Sequence, residues 1–138
     1  NDGWTLVTQQ TAEWNAEKAQ QIVQSVIDSG ESFNVIYAEN DDMAKGAVAA
    51  LDKANIPHGV GKDVIVMGFD CNKWALEELL NQNWNYDGQC NPFQASYIDD
   101  IIKKIEAGET ISEKTIIMDE KGFDASTITQ ADVDQYGI

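Results

Sequence analysis

The hydrophobic positions of the chain follow two periods in turn, which predicts strands separated by helices. Short apolar runs, each typical of a buried strand, occur at 4–8, 34–38, 63–68, 84–90 and 114–118. Between these runs, apolar residues recur with the spacing of one helix face at 15–29, 43–54, 74–80, 97–105 and, more briefly, 131–135. Strands that alternate with helices form βαβ units around a parallel sheet. We therefore predict an α/β fold.

The residues that follow each predicted strand form the candidate site, because ligands bind outside the carboxyl ends of an open parallel sheet. In strand order these residues are Glu13 with Trp14, Asn40, Asp70 and Asn91. They are acidic, amide and aromatic, and none of the turns has a glycine-rich phosphate motif. Carboxylates and amides hydrogen-bond to vicinal hydroxyls, and an aromatic ring stacks on the apolar face of a sugar. The set predicts carbohydrate recognition.

The same turns also begin helices, so each polar residue has a structural interpretation as well. Asp41 or Asp42, directly before the second helical pattern, is a predicted N-cap that would stabilise the helix by about 1 kcal/mol. Asn91 precedes Pro92, which indicates a second N-cap with proline at the first helical position. After the second strand, we therefore assign helix capping to the two aspartates and ligand contact to Asn40.

Composition narrows the partners and argues against catalysis. The chain has 138 residues, a net charge of −15, nine lysines and no arginine, which disfavours nucleic-acid and anionic-membrane partners. No apolar run reaches the roughly 18 residues of a membrane-spanning helix. The single histidine, His58, lies in a loop far from the predicted strand ends, and no metal-ligand spacing or nucleophile–base arrangement is recognisable. We predict a non-catalytic protein without metal or cofactor.

Three stretches together resemble the C-terminal half of type I periplasmic sugar-binding proteins, the substrate-binding subunits of ABC importers. They are "VIYAENDDMAKGAVAAL", "GKDVIVMGFD" and "QCNP", the last followed by an amphipathic helix and "AGE". The resemblance covers essentially the whole chain, and "CNP" and "EWN" are most similar to the galactofuranose and xylose branches. It implies two αβα lobes that close on a monosaccharide, of which this chain is an incomplete, C-terminal part.

The resemblance also assigns sugar contacts residue by residue. Trp14 matches the aromatic residue that stacks on the sugar, and Asn40 matches the ligand-binding amide of the "ND" motif. Asp70, at the end of the "GFD" strand, matches the acid that binds sugar hydroxyls, and Asn91 matches an amide at the hinge. The weaker candidates for the same contacts are Glu13 and Gln89.

By the same resemblance, the chain 1–138 divides into three parts. Residues 1–91 would form the βα units of the C-terminal lobe, 92–112 a hinge-crossing helix that packs on the other lobe, and 113–138 the final strand and tail. Because the other lobe is not part of the sequence, the apolar face at 97–105 would lack its partner. We expect the chain to form a homodimer, swap elements or fold this helix back onto its own sheet.

The two cysteines, Cys71 and Cys90, flank two of the predicted ligand residues. The resemblance implies an extracytoplasmic location, in the periplasm or at the cell surface as a lipoprotein, where disulfides can form. We hypothesise a Cys71–Cys90 disulfide, with two free thiols as the alternative.

Three functions follow from these observations. The leading prediction is a solute-binding protein that delivers a monosaccharide to an ABC transporter permease. The alternative is the effector-binding domain of a lactose-repressor-type transcription regulator, which shares this fold. A glycosidase with paired carboxylates is the weakest, because most acids of such an acidic chain are solvated.

Overall fold

The computed structural model describes residues 3–138 and forms an α/β fold around one sheet. In chain order the elements are α1 (Ala16–Ser29), β1 (Val35–Tyr37), α2 (Asp41–Lys53), β2 (Ile65–Asp70), α3 (Lys73–Leu80), β3 (Tyr86–Gln89), α4 (Ala95–Glu106), β4 (Gly122–Asp124) and α5 (Gln130–Tyr136). The strand order is β1-β2-β3-β4, with parallel pairing from β1 to β3 and antiparallel pairing of β4. The α/β prediction, with its parallel sheet, is confirmed.

The hydrophobic core lies between the helices and one face of the sheet. Val66 of β2 is buried in one cluster with Leu51 of α2, Leu76 of α3 and Val133 of α5. On the opposite face, Tyr37 of β1 remains 61% exposed. Because side chains alternate between the faces of a strand, the helix-covered face is apolar and the other face is only partly covered.

Local chemistry fixes the ends of the first and last helices. Asn15 caps α1, and its Oδ1 accepts a hydrogen bond from the Lys18 amide at 2.9 Å. Gly30 ends α1 with φ 77°, a left-handed conformation that suits glycine. Thr129 begins α5 with a capping box, in which its side chain and that of Asp132 each bond the other's backbone amide. These helices begin and end where the sequence provides the caps.

Two of the predicted strands do not form, which corrects the expectation for 4–8 and 114–118. Leu6 is 75% exposed and Ile117 is 86% exposed, and neither run is hydrogen-bonded into the sheet. An apolar run becomes a strand only where another strand offers its free edge, and within residues 3–138 neither run meets such an edge. The final strand is β4 instead, where Asp124 pairs with Tyr86 of β3.

Helix α4 stands away from the core, and none of its residues is buried. Ile101 is half-buried, and the other large apolar side chains of α4 are 40–59% exposed; these are Tyr97, Ile98, Ile102 and Ile105. The expectation that this helix folds back onto its own sheet is therefore wrong, whereas dimerisation and element swapping stay predictions. No helix within residues 3–138 is long and apolar enough to cross a membrane.

The segment that carries α4 leaves and rejoins the sheet at one place, which we call the neck (Gln89, Asn91, Glu120 and Lys121). The Gln89 amide donates to the Lys121 carbonyl at 2.9 Å, and the Lys121 amide donates to Gln89 Oε1 at 3.2 Å. The Asn91 amide donates to Glu120 Oε1 at 2.7 Å. These bonds extend the β3–β4 pairing by one step and close the neck.

Candidate functional site

The turns after β1 and β2 are tied together at the carboxyl edge of the sheet. Asp41, the first residue of α2, accepts hydrogen bonds at its Oδ2 from the backbone amide of Asn72 at 2.8 Å and from Asn72 Nδ2 at 3.1 Å. Asp41 is fully buried, so these bonds are shielded from water. The bonds bring two of the predicted ligand residues, Asn40 and Asp70, to the same edge.

Asn40 is itself the N-cap of α2, which corrects the assignment of capping to Asp41 or Asp42. Its Oδ1 accepts a hydrogen bond from the Met43 amide at 2.9 Å, and its backbone is extended with φ −157°. The cap lies one residue earlier than predicted because Asp41 already has helical geometry and points into the core. An amide side chain has an acceptor and two donors, so the cap leaves Asn40 Nδ2 available to a ligand.

Asp70 ends β2 in a strained turn. It has φ 123° and the next residue, Cys71, has φ 62°, conformations that side-chain-bearing residues rarely adopt and that concentrate at functional sites. Partial burial raises the pKa of Asp70, and the nearby charge of Asp42 raises it further. Within residues 3–138, no hydrogen bond engages the Asp70 carboxylate, which leaves both of its oxygens able to accept from a ligand.

Trp14 lies in the turn before α1 and is 75% exposed. It and Glu13 both have a left-handed backbone, with φ 55° and 53°. The Glu13 carboxylate accepts a hydrogen bond from Lys18, which lowers the pKa of Glu13. The turn is anchored on α2, since the Ala16 carbonyl oxygen lies only 2.0 Å from where a Cβ on Gly46 would be. Trp14 is therefore held at the start of α1 with its ring free to stack.

Gln89 and Asn91 lie at the neck, and Gln89 is the register partner of Asp70 on the neighbouring strand. Asn91 does not cap a helix, because α4 begins only at Ala95 and the preceding Gln94 makes no side-chain cap bond. Instead, Asn91 Oδ1 accepts from the Phe93 amide at 2.8 Å, a turn typical of Asn before a chain reversal. The Gln89 amide oxygen is used by Lys121. Their contact with a ligand stays a prediction.

The two cysteines are both free, so the hypothesised disulfide is absent from the structure. Cys71 is fully buried, with its Sγ 3.9 Å from Asp87 Oδ1, whereas Cys90 is exposed beside the neck. Burial raises the pKa of the Cys71 thiol, and the charge of Asp87 raises it further. The strained turn at Asp70 points Cys71 into the core, which separates it from Cys90.

The sequence interpretation missed Asp87, a fully buried acid in the middle of β3. The only indication in the sequence was that this acid occupies an inward-facing position of the stretch "NYDGQ". Because the stretch alternates only weakly, its pattern predicts that the acid is exposed. Within residues 3–138 there is no cluster of three or more metal-ligating side chains. The edge of the sheet thus offers the Asp70 carboxylate and the Asn40 amide, and the exposed Trp14 ring lies in the turn before α1.

Comparisons of its sequence and fold show which known proteins this chain resembles. The family model of the periplasmic binding protein domain matches residues 1–108. The fructose import binding protein FruE of Bifidobacterium longum is 30% identical over 128 residues, which cover 91% of this chain and 38% of that protein. A Mycobacterium smegmatis protein solved with β-D-fucofuranose is 27% identical with a TM-score of 0.77, over 95% of this chain and 40% of that one.

The periplasmic binding protein of the arabinose ABC transporter from Shewanella sp. ANA-3, solved with L-arabinofuranose, shows the same fold. It superposes with a TM-score of 0.84 at 22% identity, over 95% of this chain and 43% of that one. The chain spans less than half the length of each of these three proteins.

Proposed function

The chain belongs to the periplasmic binding protein domain family, and we propose that it is part of an extracytoplasmic protein that binds a monosaccharide. The match over residues 1–108 confirms the family predicted from the sequence motifs. Its relatives are named as binding proteins rather than enzymes, in agreement with the prediction of a non-catalytic chain. The relatives named above bind fructose, a fucofuranose and an arabinofuranose, which supports a monosaccharide as the class of ligand.

The observation that carries the proposal is the free carboxylate of Asp70 at the carboxyl edge of the sheet. Its oxygens can accept from two vicinal hydroxyls, while Asn40 Nδ2 can donate to a third oxygen of the sugar. Trp14 presents an exposed ring that suits the apolar face of a pyranose or furanose. Acceptors, donors and a stacking surface are the three components of a monosaccharide site.

Calorimetry with a panel of monosaccharides tests this proposal, on the 138-residue chain and on the longer protein to which we assign it. Hydrogen bonds to a charged group are worth about 1.5–3 kcal/mol, so Asp70→Asn should weaken sugar binding by about 10- to 100-fold. Asp63→Asn is the matched control, because Asp63 is an exposed acid two residues before the start of the same strand, at the end opposite Asp70. Equal affinities for the two variants would contradict the assignment of Asp70.

We further propose the division of the chain into 1–91, 92–112 and 113–138, with the apolar face of α4 covered by the rest of the longer protein. Ile102 is 49% exposed here, so Ile102→Asp should leave the stability of the monomeric 138-residue chain unchanged and lower that of the longer protein. The same face would drive homodimerisation or element swapping of the isolated chain. Light scattering of wild type and Ile102→Asp checks this, and a wild-type monomer would contradict it.

Delivery to an ABC transporter permease is the step we propose after sugar binding. Closure of two lobes around a sugar changes the surface that a permease meets, which would couple binding to transport. Stimulation of the transporter ATPase by the sugar-loaded protein, but not by Asp70→Asn at the same sugar concentration, tests this step. Fractionation of cells, with and without lipoprotein maturation, distinguishes the periplasm from the cell surface.

A further inference from the structure

Two aspartates from different elements meet beneath the carboxyl edge of the sheet. Asp41 of α2 and Asp87 of β3 are both fully buried on the helix-covered side. Gly68 of β2 pairs with Asp87 in register, and a Cβ on Gly68 would lie 2.6 Å from Asp41 Oδ1. Because Gly68 has no side chain, Asp41 can approach the sheet next to Asp87.

Each carboxyl has one occupied and one unoccupied oxygen. Asp41 Oδ2 accepts two hydrogen bonds from Asn72, and Asp87 Oδ1 faces the Cys71 thiol at 3.9 Å. The remaining atoms, Asp41 Oδ1 and Asp87 Oδ2, are buried and have no hydrogen-bond partner among residues 3–138. Because Gly68 and Asp87 are register partners, their Cβ positions lie on the same face of the sheet, so the Asp87 carboxyl and Asp41 Oδ1 are neighbours beside Gly68. Two neighbouring carboxyl groups cannot both be ionised in an apolar core.

We infer that Asp41 and Asp87 share a single proton, carried by Asp87 and donated to Asp41, and that this proton holds the turn at Asp70 in place. Asp41 is the charged member, because the two N–H groups of Asn72 stabilise its carboxylate. A proton between the two unoccupied oxygens satisfies both of them at once. Asp87 is then a positioning residue for Asp70, and its relevance to sugar binding rests on the function proposed above.

The charges around the pair favour keeping this proton. Burial raises the pKa of Asp87, and the charge of Asp41 raises it further. Burial also raises the pKa of Asp41, against the opposing hydrogen bonds from Asn72. The charge of Asp70 acts on both acids in the same direction, the Cys71 thiol lies beside Asp87, and Asp42 in turn acts on Asp70. No lysine of residues 3–138 forms an ion pair with either acid.

The pH dependence of unfolding of the 138-residue chain tests the shared proton. Because the pKa of Asp87 is higher in the folded than in the unfolded chain, its stabilising effect is full below the unfolded pKa and is lost as pH rises toward the folded one. Burial raises the pKa of Asp41 to about 6 and that of Asp87 to about 9, so the ratio of folded to unfolded chain should fall by about tenfold per pH unit between about pH 6 and pH 9, where only Asp87 still holds its proton. Asp87→Asn keeps a donor toward Asp41 without a titratable proton, so it should remove this slope.

Asp42→Asn is the matched control, since Asp42 neighbours Asp41 on α2 but is exposed, and it should leave the slope in place. Carboxyl 13C shifts give a direct second measurement, with Asp87 protonated at pH 6. Asp87→Ala, which has no donor, should speed amide exchange at Asn72, whereas Asp87→Asn should preserve its protection.

A 13C titration of Asp87 near its ordinary pKa, or a wild-type slope equal to that of Asp87→Asn, would overturn the inference. So would an Asp87→Asn chain that fails to fold while Asp42→Asn folds. None of these measurements uses a sugar. A protein that binds no monosaccharide but shows the shared proton would therefore overturn the proposed function alone.

Discussion

Gly46 offers a sharp test of how the start of α1 is positioned. It lies in α2 where the first turn of α1 crosses it, and it is buried. A Cβ at this position would lie 2.0 Å from the Ala16 carbonyl oxygen, 2.7 Å from its carbonyl carbon and 2.9 Å from its Cα. All three are backbone atoms that cannot rotate away, so Gly46→Ala forces the two helices apart.

Two opposing terms decide the size of the effect. Overpacking of a core contact destabilises by about 1–3 kcal/mol, while alanine is a better helix former than glycine by about 1 kcal/mol. The contact here is with backbone, which places the first term at the upper end of its range. We expect Gly46→Ala to lower the free energy of unfolding by about 1–2 kcal/mol, a fall in Tm of several degrees.

Urea unfolding of Gly46→Ala beside Ala49→Gly measures this directly. Ala49 is exposed on the same helix, so its replacement reports helix propensity alone and should destabilise by about 1 kcal/mol. If Gly46→Ala raised the free energy of unfolding by about the 1 kcal/mol that Ala49→Gly loses, helix propensity would determine the result. The argument from the contact with Ala16 would then be refuted. In the longer protein, Gly46→Ala should also weaken sugar binding, because it displaces Trp14.

Three further predictions concern single side chains. Asn40→Ala should lower the free energy of unfolding by about 1 kcal/mol and Asn40→Asp, which keeps the capping oxygen, should not; equal losses in urea melts would contradict the cap. Thiol titration should find one reactive group in the native chain, Cys90, and two after denaturation without reductant, whereas none in the denatured chain would reinstate the disulfide. The Lys121 side chain donates to Asp132 and lowers its pKa to about 2, so the stabilising effect of Asp132 is present above the unfolded pKa and is lost as pH falls toward about 2. Asp132→Asn should flatten acid unfolding between about pH 4 and pH 2; an unchanged acid limb would contradict this ion pair.

The predictable part of the fold was the part that is encoded locally. The run at 63–68 and the helical stripe at 43–54 correspond to β2 and α2, because their periodicity matches the burial they reach. The equally apolar runs at 4–8 and 114–118 fail as strands, since a strand also has to pair with an edge of the sheet, and neither run pairs with the edge strands β1 and β4. Periodicity describes a side-chain pattern and contains no information about which edges are present.

In the candidate site, too, some residues could be predicted from the sequence and others could not. Asp70 and Asn40 could be placed at the carboxyl edge because that rule depends only on the order of strands and helices. The cap at Asn40 was assigned at least one residue too late, because the "NDD" at the start of α2 offers three side chains that could cap the helix. Asp87 could not be found, because its burial depends on the register that sets it beside Gly68.

The closed neck makes the segment between β3 and β4 a self-contained insertion. Its two ends meet at Gln89 and Lys121, so a short turn could join β3 directly to β4 as a β-hairpin without disturbing the remaining sheet. Replacing roughly 30 residues by about four shortens the loop by about three doublings, which lowers its closure entropy by about 2 kcal/mol. Sequences grafted at this point would be presented by the sheet without being part of its core.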